Sequence, residues 1–488
     1  MRTDKNAKAP PTGCPNLAEA VSELRKEISQ AFRDSENVPE HILRRGRRLE
    51  IPLNPSMPNV EVDPFHWLLA QPHVEKTLWS CRDSGDVTAG VGCCHLLNGA
   101  SVEDPGRLLD RGREILADFE GVCPRYFGGF SFSSASVDEA PWQIFGRSRF
   151  LIPRFEVARK KGRTSLVCNL LFQRHVHLDR DQLLAELDAL VCRMAPPEAL
   201  PPITERADFP DRAGWEANVR AGLDLIASGI LDKVVLARKA VYSFAEPVDP
   251  IHILSVLRPV TSNCYHFLIQ PSGEAAFMGT TPECLYRREG RELNTEALAG
   301  TRPREKDAER DAVLAAQLLE NPKERREQEL VRRDLLRQLH LLSTRVDADE
   351  TPSLLRLERK QHLISRIRAR LRDGVGDADL LQALHPTPAV GGSPRVNALK
   401  EIPRLEPFSR GWYAAPVGWF GPDAAEFAVA IRSGLVRDHR VNVYSGAGIV
   451  EGSDPSAEWA EIENKISDFV KVTQYRPSGR AANSVEEA

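Results

Sequence analysis

The sequence predicts a mixed α/β (α+β) fold, and three observations predict it. Apolar residues recur at helical spacing in 16–35, 179–194, 215–228 and the stretch that starts at Lys323. Strand-like runs rich in Val, Ile and Phe lie between them, at 149–172, 232–244 and 426–436. A hydrophobic content of 42% and a charged content of 27% are globular values. The 488 residues suffice for one large domain or two to three ordinary ones.

The same composition excludes several function classes. A net charge of −4 gives no overall reason to expect nucleic acid. No run of about 18 apolar residues exists, so no membrane partner is expected, and the N-terminus lacks the apolar stretch of a secretory signal. Nine cysteines form no C-x-x-C pair, and Cys93 and Cys94 are adjacent. That is reduced, cytoplasmic usage.

Taken in order, residues 1–15 read as a disordered tail and 476–488 as another. In 16–35, Leu17, Val21, Leu24, Ile28 and Phe32 make one helical face. From 49 to 154 the pattern is mostly strands, with one helix over 105–119. Strands follow at 128–133 and 149–172, the latter folded back at a basic glycine turn, and then an amphipathic helix over 179–194. The Pro-rich 194–204 segment either divides two domains or crosses the surface of one. The 215–228 helix stops at Gly229, a C-cap residue. Lys233 heads the 232–244 strand beside Val234, Val235 and Leu236. Desolvation there would lower its pKa and suit a general base, whereas a strand-end lysine also snorkels at surfaces.

A hairpin spans 266–279, and Glu283 follows Pro282 just before a further strand. The 293–304 strand runs into a small-residue turn where Gly300 and Thr301 offer donors and Arg302 and Arg304 offer charge, although turn chemistry accounts for them equally. A helix over 307–319 is followed by one from Lys323, which places Glu327 on its apolar side with Leu330 and Val331 and leaves Glu329 in solvent. A buried carboxylate needs a cation or several donors. The basic residues of 356–372 alternate with Leu and Ile and read as an exposed helix face. A turn-rich loop over 385–395 and strands over 412–420 and 426–436 come next, with Arg432 placed to fork a carboxylate.

The last stretch, 444–465, reads as a strand end at Tyr444, close-approach glycines at Gly446 and Gly448, a turn at Gly452 and a helix opened by Asp454-Pro455. Glu458, Glu461 and Lys465 fall at i, i+3 and i+7 on that helix. Two carboxylates and a cation suit a hard metal with an anionic ligand, and they equally suit a solvated face.

Eight separated stretches then fall into one pattern: KVVLAR, TPE, ALAGT-x-x-R, the KER-x-E helix, HPTPAVGG, YAAPVGW, EFAVAIRS and YSGAGIV-x-GS-x-P-x-x-EW-x-E-x-x-x-K. In this order, across about 206–475, the chain resembles the chorismate-utilising enzymes and, within them, the isochorismate synthases. The resemblance implies one catalytic domain over 16–475, with two stacked antiparallel sheets flanked by helices. It implies Lys233 as the base that activates water and Glu283 as the acid on the departing hydroxyl. It implies Mg²⁺ on Glu327 and Glu461, with Glu458 reached through water. Arg432, Tyr413, Lys465 and the Gly446 N–H match the clamp on the enolpyruvyl carboxylate; Thr301, with Gly300 beside it, lies near the ring, and His385 orders its loop at the substrate site. The partner implied is chorismate, with no glutaminase subunit and a monomer or weak dimer.

Within the family, Ala299 stands where the aminodeoxychorismate branch carries a nucleophilic lysine, and Lys233 favours water over ammonia. Salicylate synthase, which also expels pyruvate, and a chorismate-binding protein without catalysis are the alternatives. Gln328 and Ala415 depart from the family's usual His and Gly, as does the 422–425 segment. Menaquinone, a catecholate siderophore and salicylate all stand open as destinations for the isochorismate.

Overall fold

The computed structural model describes residues 15–36, 44–53, 62–99, 105–133, 141–173, 178–358 and 360–472, so the tails expected at 1–15 and 476–488 lie almost wholly outside the described residues. The strands join into one connected sheet that forks. It runs from Arg44–Pro52 through Arg163–Gln173 to Ser148–Lys160, the longest strand. One arm then continues through Val87–Asn98, Lys76–Ser80, Tyr265–Gln270, Ala276–Thr281, Ser433–Arg437, Arg440–Ile449, Lys233–Phe244 and Ile203–Phe209. The other continues through Tyr126–Phe130, Pro416–Phe420, Ala424–Val429, Cys284–Glu289, Glu292–Pro303 and Lys360–Leu371. All these pairings are antiparallel; the two-residue match of Arg44–Pro52 with Phe119–Glu120 is parallel. The two stacked sheets implied by the resemblance are thus two arms of one sheet, because Ser148–Lys160 pairs along different parts of one edge with both Tyr126–Phe130 and Arg163–Gln173.

The arms meet through buried side chains. Glu426 accepts from Trp79 Nε1 at 3.3 Å and Tyr265 OH at 3.4 Å on one arm, and from Trp419 Nε1 at 3.1 Å on its own. Trp142, Phe277, Trp412 and Tyr444 pack edge to face or tilted beneath the C-terminal strands. Such pairs add to the area they bury.

Local signals set most helix bounds. Arg212–Ala227 starts at Asp211, whose carboxylate accepts from Gly214 N, and ends before Gly229 at φ +73°. Pro322–Leu342 starts at Asn321, which caps Lys323 and Glu324. In Pro455–Val472, Asp454 accepts from Ala457 N at 2.8 Å. The 179–194 pattern yields only Arg180–Asp188.

Three expectations need correction. The 356–372 segment is a strand, Lys360–Leu371, with Arg366, Arg368 and Arg370 exposed and Ile367, Ala369 and Leu371 buried. The decisive period there is 2. The 426–436 run is two strands, broken where Arg432 takes φ +49°. The strand entering the last motif does not end at Tyr444; it pairs through Gly446 and Gly448 to Ile449.

Candidate active site

Lys233 is the first residue of its strand and is fully buried, yet its surroundings are not the apolar ones its sequence neighbours suggest. Its Nζ donates to Glu327 Oε1 at 2.7 Å. Gly448 lies against this pair; a Cβ there would stand 2.7 Å from Lys233 Cε and 2.9 Å from Glu327 Oε1. The glycine is required by close approach, inside a strand.

Glu283 reaches the same cleft from the link between Ala276–Thr281 and Cys284–Glu289. Burial, and after it the nearby Glu296 carboxylate, push its pKa up to about 8, against the pull of Lys233 and Lys465. It is therefore a carboxylic acid, able to donate, at neutral pH.

Four carboxylates line the cleft, and each has a cation of the chain. Glu327 has Lys233, Glu461 has Lys465 at 2.7 Å, Glu458 has Lys323 at 3.2 Å, and Glu324 has Arg302 at 2.8 Å. Burial and then like charge raise Glu324 (through Glu327) and Glu458 (through Glu461), whereas Lys465 lowers Glu461. Among the described residues no three such side chains are arranged to hold a metal ion. The donor chemistry nonetheless fits a hard divalent cation, because magnesium uses one or two carboxylates and fills its other positions with water and substrate oxygens.

Arg432 and Lys465 bring positive charge to the cleft, with the neutral phenol of Tyr413 beside them. Arg432 holds a left-handed backbone between two strands, and its guanidinium donates to His362 Nε2 at 2.9 Å. Burial, then Arg432, hold His362 well below the usual histidine range. A neutral ring accepting at Nε2 carries its proton on Nδ1, which lies 3.1 Å from Gly300 O and 3.0 Å from Thr301 Oγ1. Gly300 itself sits in a bulge at φ +73°, where a Cβ would meet Glu324 Oε2 at 2.9 Å.

Lys465 also donates to Gly446 O at 3.0 Å. Ala237, opposite Gly446, sends its N–H to Glu406, and pairing on the other side stops at Tyr444. The Gly446 peptide edge therefore faces the cleft. Tyr413 stacks on Tyr444 at 5.4 Å, and its phenol lies 3.0 Å from a Cβ built at Gly446.

Of the residues expected from sequence, the structure gathers Lys233, Glu283, Gly300, Thr301, Glu327, Tyr413, Arg432, Gly446, Glu458, Glu461 and Lys465 around one cleft. His385 stands apart from its wall. Its Nε2 donates to Ala414 O at 3.0 Å, its ring meets Phe132 edge-on, and burial brings its pKa down to about 4. It braces Ala414, which has φ +61° beside Tyr413. Gln328 turns to Ser365 Oγ at 2.7 Å, away from Glu327.

Sequence reasoning passed over Glu324, Lys323 and His362, which also line the cleft. Glu324 precedes Glu327 by three on one helix and could have been found by that spacing. His362 lies in the strand misread as a helix.

Comparison with known proteins gives the family. The family profile described as "Chorismate binding enzyme" matches residues 49–474. Isochorismate synthase MenF of Escherichia coli (strain K12) is 33% identical over 443 residues, 89% of this chain and 98% of that protein. The chloroplastic isochorismate synthase of Catharanthus roseus is 34% identical over 362 residues, 72% of this chain; the match spans 62% of that protein. The solved structure of MenF, the menaquinone-specific isochorismate synthase from Escherichia coli, superposes with a TM-score of 0.80 at 31% identity, covering 94% of this chain and 100% of that one. Anthranilate synthase component I from Streptococcus pneumoniae shares the fold, with a TM-score of 0.60 at 20% identity over 87% of this chain and 92% of that one. With its profile match running almost from end to end, the chain belongs to the chorismate-binding enzyme family.

Proposed function

We propose that the protein is an isochorismate synthase, isomerising chorismate by adding water at C2 and releasing the C4 hydroxyl. The observation that carries this reading is the meeting of a buried lysine and a buried, protonated carboxyl in one cleft walled by cations. Lys233 takes the proton from water, and Glu283 gives its proton to the departing hydroxyl, so the two transfers leave the ring with one C–O bond made and one broken. Each role is worth on the order of 10²–10⁴-fold in rate. Arg432, Lys465, Tyr413 and the Gly446 N–H hold the enolpyruvyl carboxylate; Thr301 faces the ring. His362, by fixing Arg432, keeps the fork aimed.

Glu327 and Glu461 would hold Mg²⁺, with Glu458 beside them. A bound magnesium would supply positive charge for the ring carboxylate. Glu327 would then be shared between that ion and Lys233 Nζ, which it contacts at 2.7 Å. The relatives named as isochorismate synthases favour this product over salicylate with pyruvate.

The test is turnover of chorismate with Mg²⁺ and no ammonia. A reversible mixture of chorismate and isochorismate is expected. Pyruvate and salicylate formed at the turnover rate would overturn the product assignment, and an aromatic amine formed on adding ammonia would overturn the choice of water. Chelation by EDTA should abolish turnover and Mg²⁺ restore it; full activity in chelator would remove magnesium from the proposal.

A further inference from the structure

Behind the cleft, on the far side of Glu283, lies a buried ion pair that the reaction does not touch. Arg82 comes from the loop after Lys76–Ser80, and Glu296 from the Glu292–Pro303 strand. Arg82 donates from Nη1 to Glu296 Oε1 at 2.6 Å and from Nη2 to Oε2 at 2.9 Å, a two-point fork, and both side chains are at most 8% exposed. The same Nη1 donates to Pro282 O at 2.6 Å. The same Oε1 accepts from Cys284 N at 3.2 Å. The carbonyl before Glu283 and the amide after it are therefore gripped by one pair. Its own peptide is held by Thr281 Oγ1 at 3.2 Å and Val429 N at 3.0 Å.

We propose that Arg82 and Glu296 are positioning residues for the acid: they fix the backbone on both sides of Glu283, so that its carboxyl enters the cleft in one pose, and they set the charge behind it. The inference rests on the reading of Glu283 as the acid. It gives the N-terminal part of the chain a direct part in the chemistry, through an arginine about 200 residues away in sequence. Cleft-side groups cannot do this, since they must stay free for the substrate. The charged and titratable groups facing Glu283 are Lys233 and Lys465 across the cleft, Tyr413 beside it, and Glu296 with Arg82 behind. The two members of the pair carry opposite charge, so their removal acts on the acid with opposite sign.

The test uses the full chain with Glu296→Gln, Arg82→Gln, the double variant and Glu283→Gln, followed by kcat against pH, KM for chorismate and thermal unfolding. In Glu296→Gln the alkaline limb of kcat should move down by about 1 pH unit, because a negative neighbour is lost. In Arg82→Gln it should move up, because Glu296 is left uncompensated, and the double variant should return toward wild type. At the pH optimum kcat should fall roughly 10-fold or more in each single variant, with KM changed much less. Limbs that stay in place, or that move the same way in both, would overturn the proposal and leave the pair merely structural. If Arg82→Gln does not fold, the direction of the Glu296→Gln shift alone decides. Near-wild-type turnover in Glu283→Gln would instead sink the underlying assignment of the acid, an outcome distinct from an immobile limb.

Discussion

Glu283 is a carboxyl that burial keeps protonated, with its pKa at about 8 against an ordinary 4.5. A step that uses it as an acid slows as pH rises through about 8, so kcat should fall along that limb. The sign for stability is the same: the contribution of the protonated group is full below about 4.5 and is lost as pH rises through about 8. Glu283→Gln should abolish both dependences and cost about 10²-fold or more in kcat with KM retained; steady-state kinetics and thermal unfolding across pH check this. Lys233→Ala should cost a similar factor, and the double variant little more, since the two groups serve one displacement. Losing the cation should also move the Glu283 limb of the residual activity to higher pH. A Lys233→Ala variant with near-wild-type kcat would make the lysine a mere partner of Glu327.

At the scale of the element, the strand Arg440–Ile449 and the helix Pro455–Val472 bring Gly446, Gly448, Glu458, Glu461 and Lys465 to the cleft. Gly448→Ala puts a methyl against Lys233 Cε and Glu327 Oε1 while leaving the strand pairing possible. Turnover should fall nearly as far as in Lys233→Ala, with circular dichroism unchanged; a fully active Gly448→Ala would show that the Lys233–Glu327 contact can shift freely. The helix is clamped from its other face. Arg238 is buried, lies 3.6 Å over the Trp459 ring and pairs with Glu463. Arg238→Ala should lose about 2–3 kcal/mol in denaturant unfolding and raise KM, because the helix carries Glu461 and Lys465. Arg238→Met, which keeps the volume, should lose less.

These elements also show what the sequence discloses. Caps such as Gly229 and Asp454 are local chemistry and were legible, as were residues lying within their own motif, such as Lys233 and Glu461. The Lys360–Leu371 strand was not, because Leu and Ile fit helical and alternating templates alike over so short a run. The strand that continues through Gly446 and Gly448 to Ile449 reads as ending at Tyr444, because a sequence does not show which backbone lies opposite. The Lys233–Glu327 pair, 94 residues apart, is a tertiary fact that no spacing reveals.

On the scale of the whole molecule, the motif-bearing residues and the first 200 interleave within one sheet. Lys76–Ser80 covers the edge of Tyr265–Gln270, and Tyr126–Phe130 covers the edge of Pro416–Phe420. Without the N-terminal strands both edges would be bare, with their unpaired N–H and C=O groups open to pairing with other chains. Trp79 and Arg82 would also be gone, leaving the buried Glu426 and Glu296 short of donors. A fragment of residues 201–472, which contains every motif, should therefore fail to unfold cooperatively and should aggregate when expressed alone. Supplying residues 1–200 as a separate chain should restore solubility and some turnover, since the Pro-rich link between them crosses the surface with Pro196, Glu198 and Ala199 exposed. A monomeric 201–472 fragment with a sharp thermal transition and chorismate turnover would show that the C-terminal part is a domain in its own right, and that the forked sheet is an accretion on it.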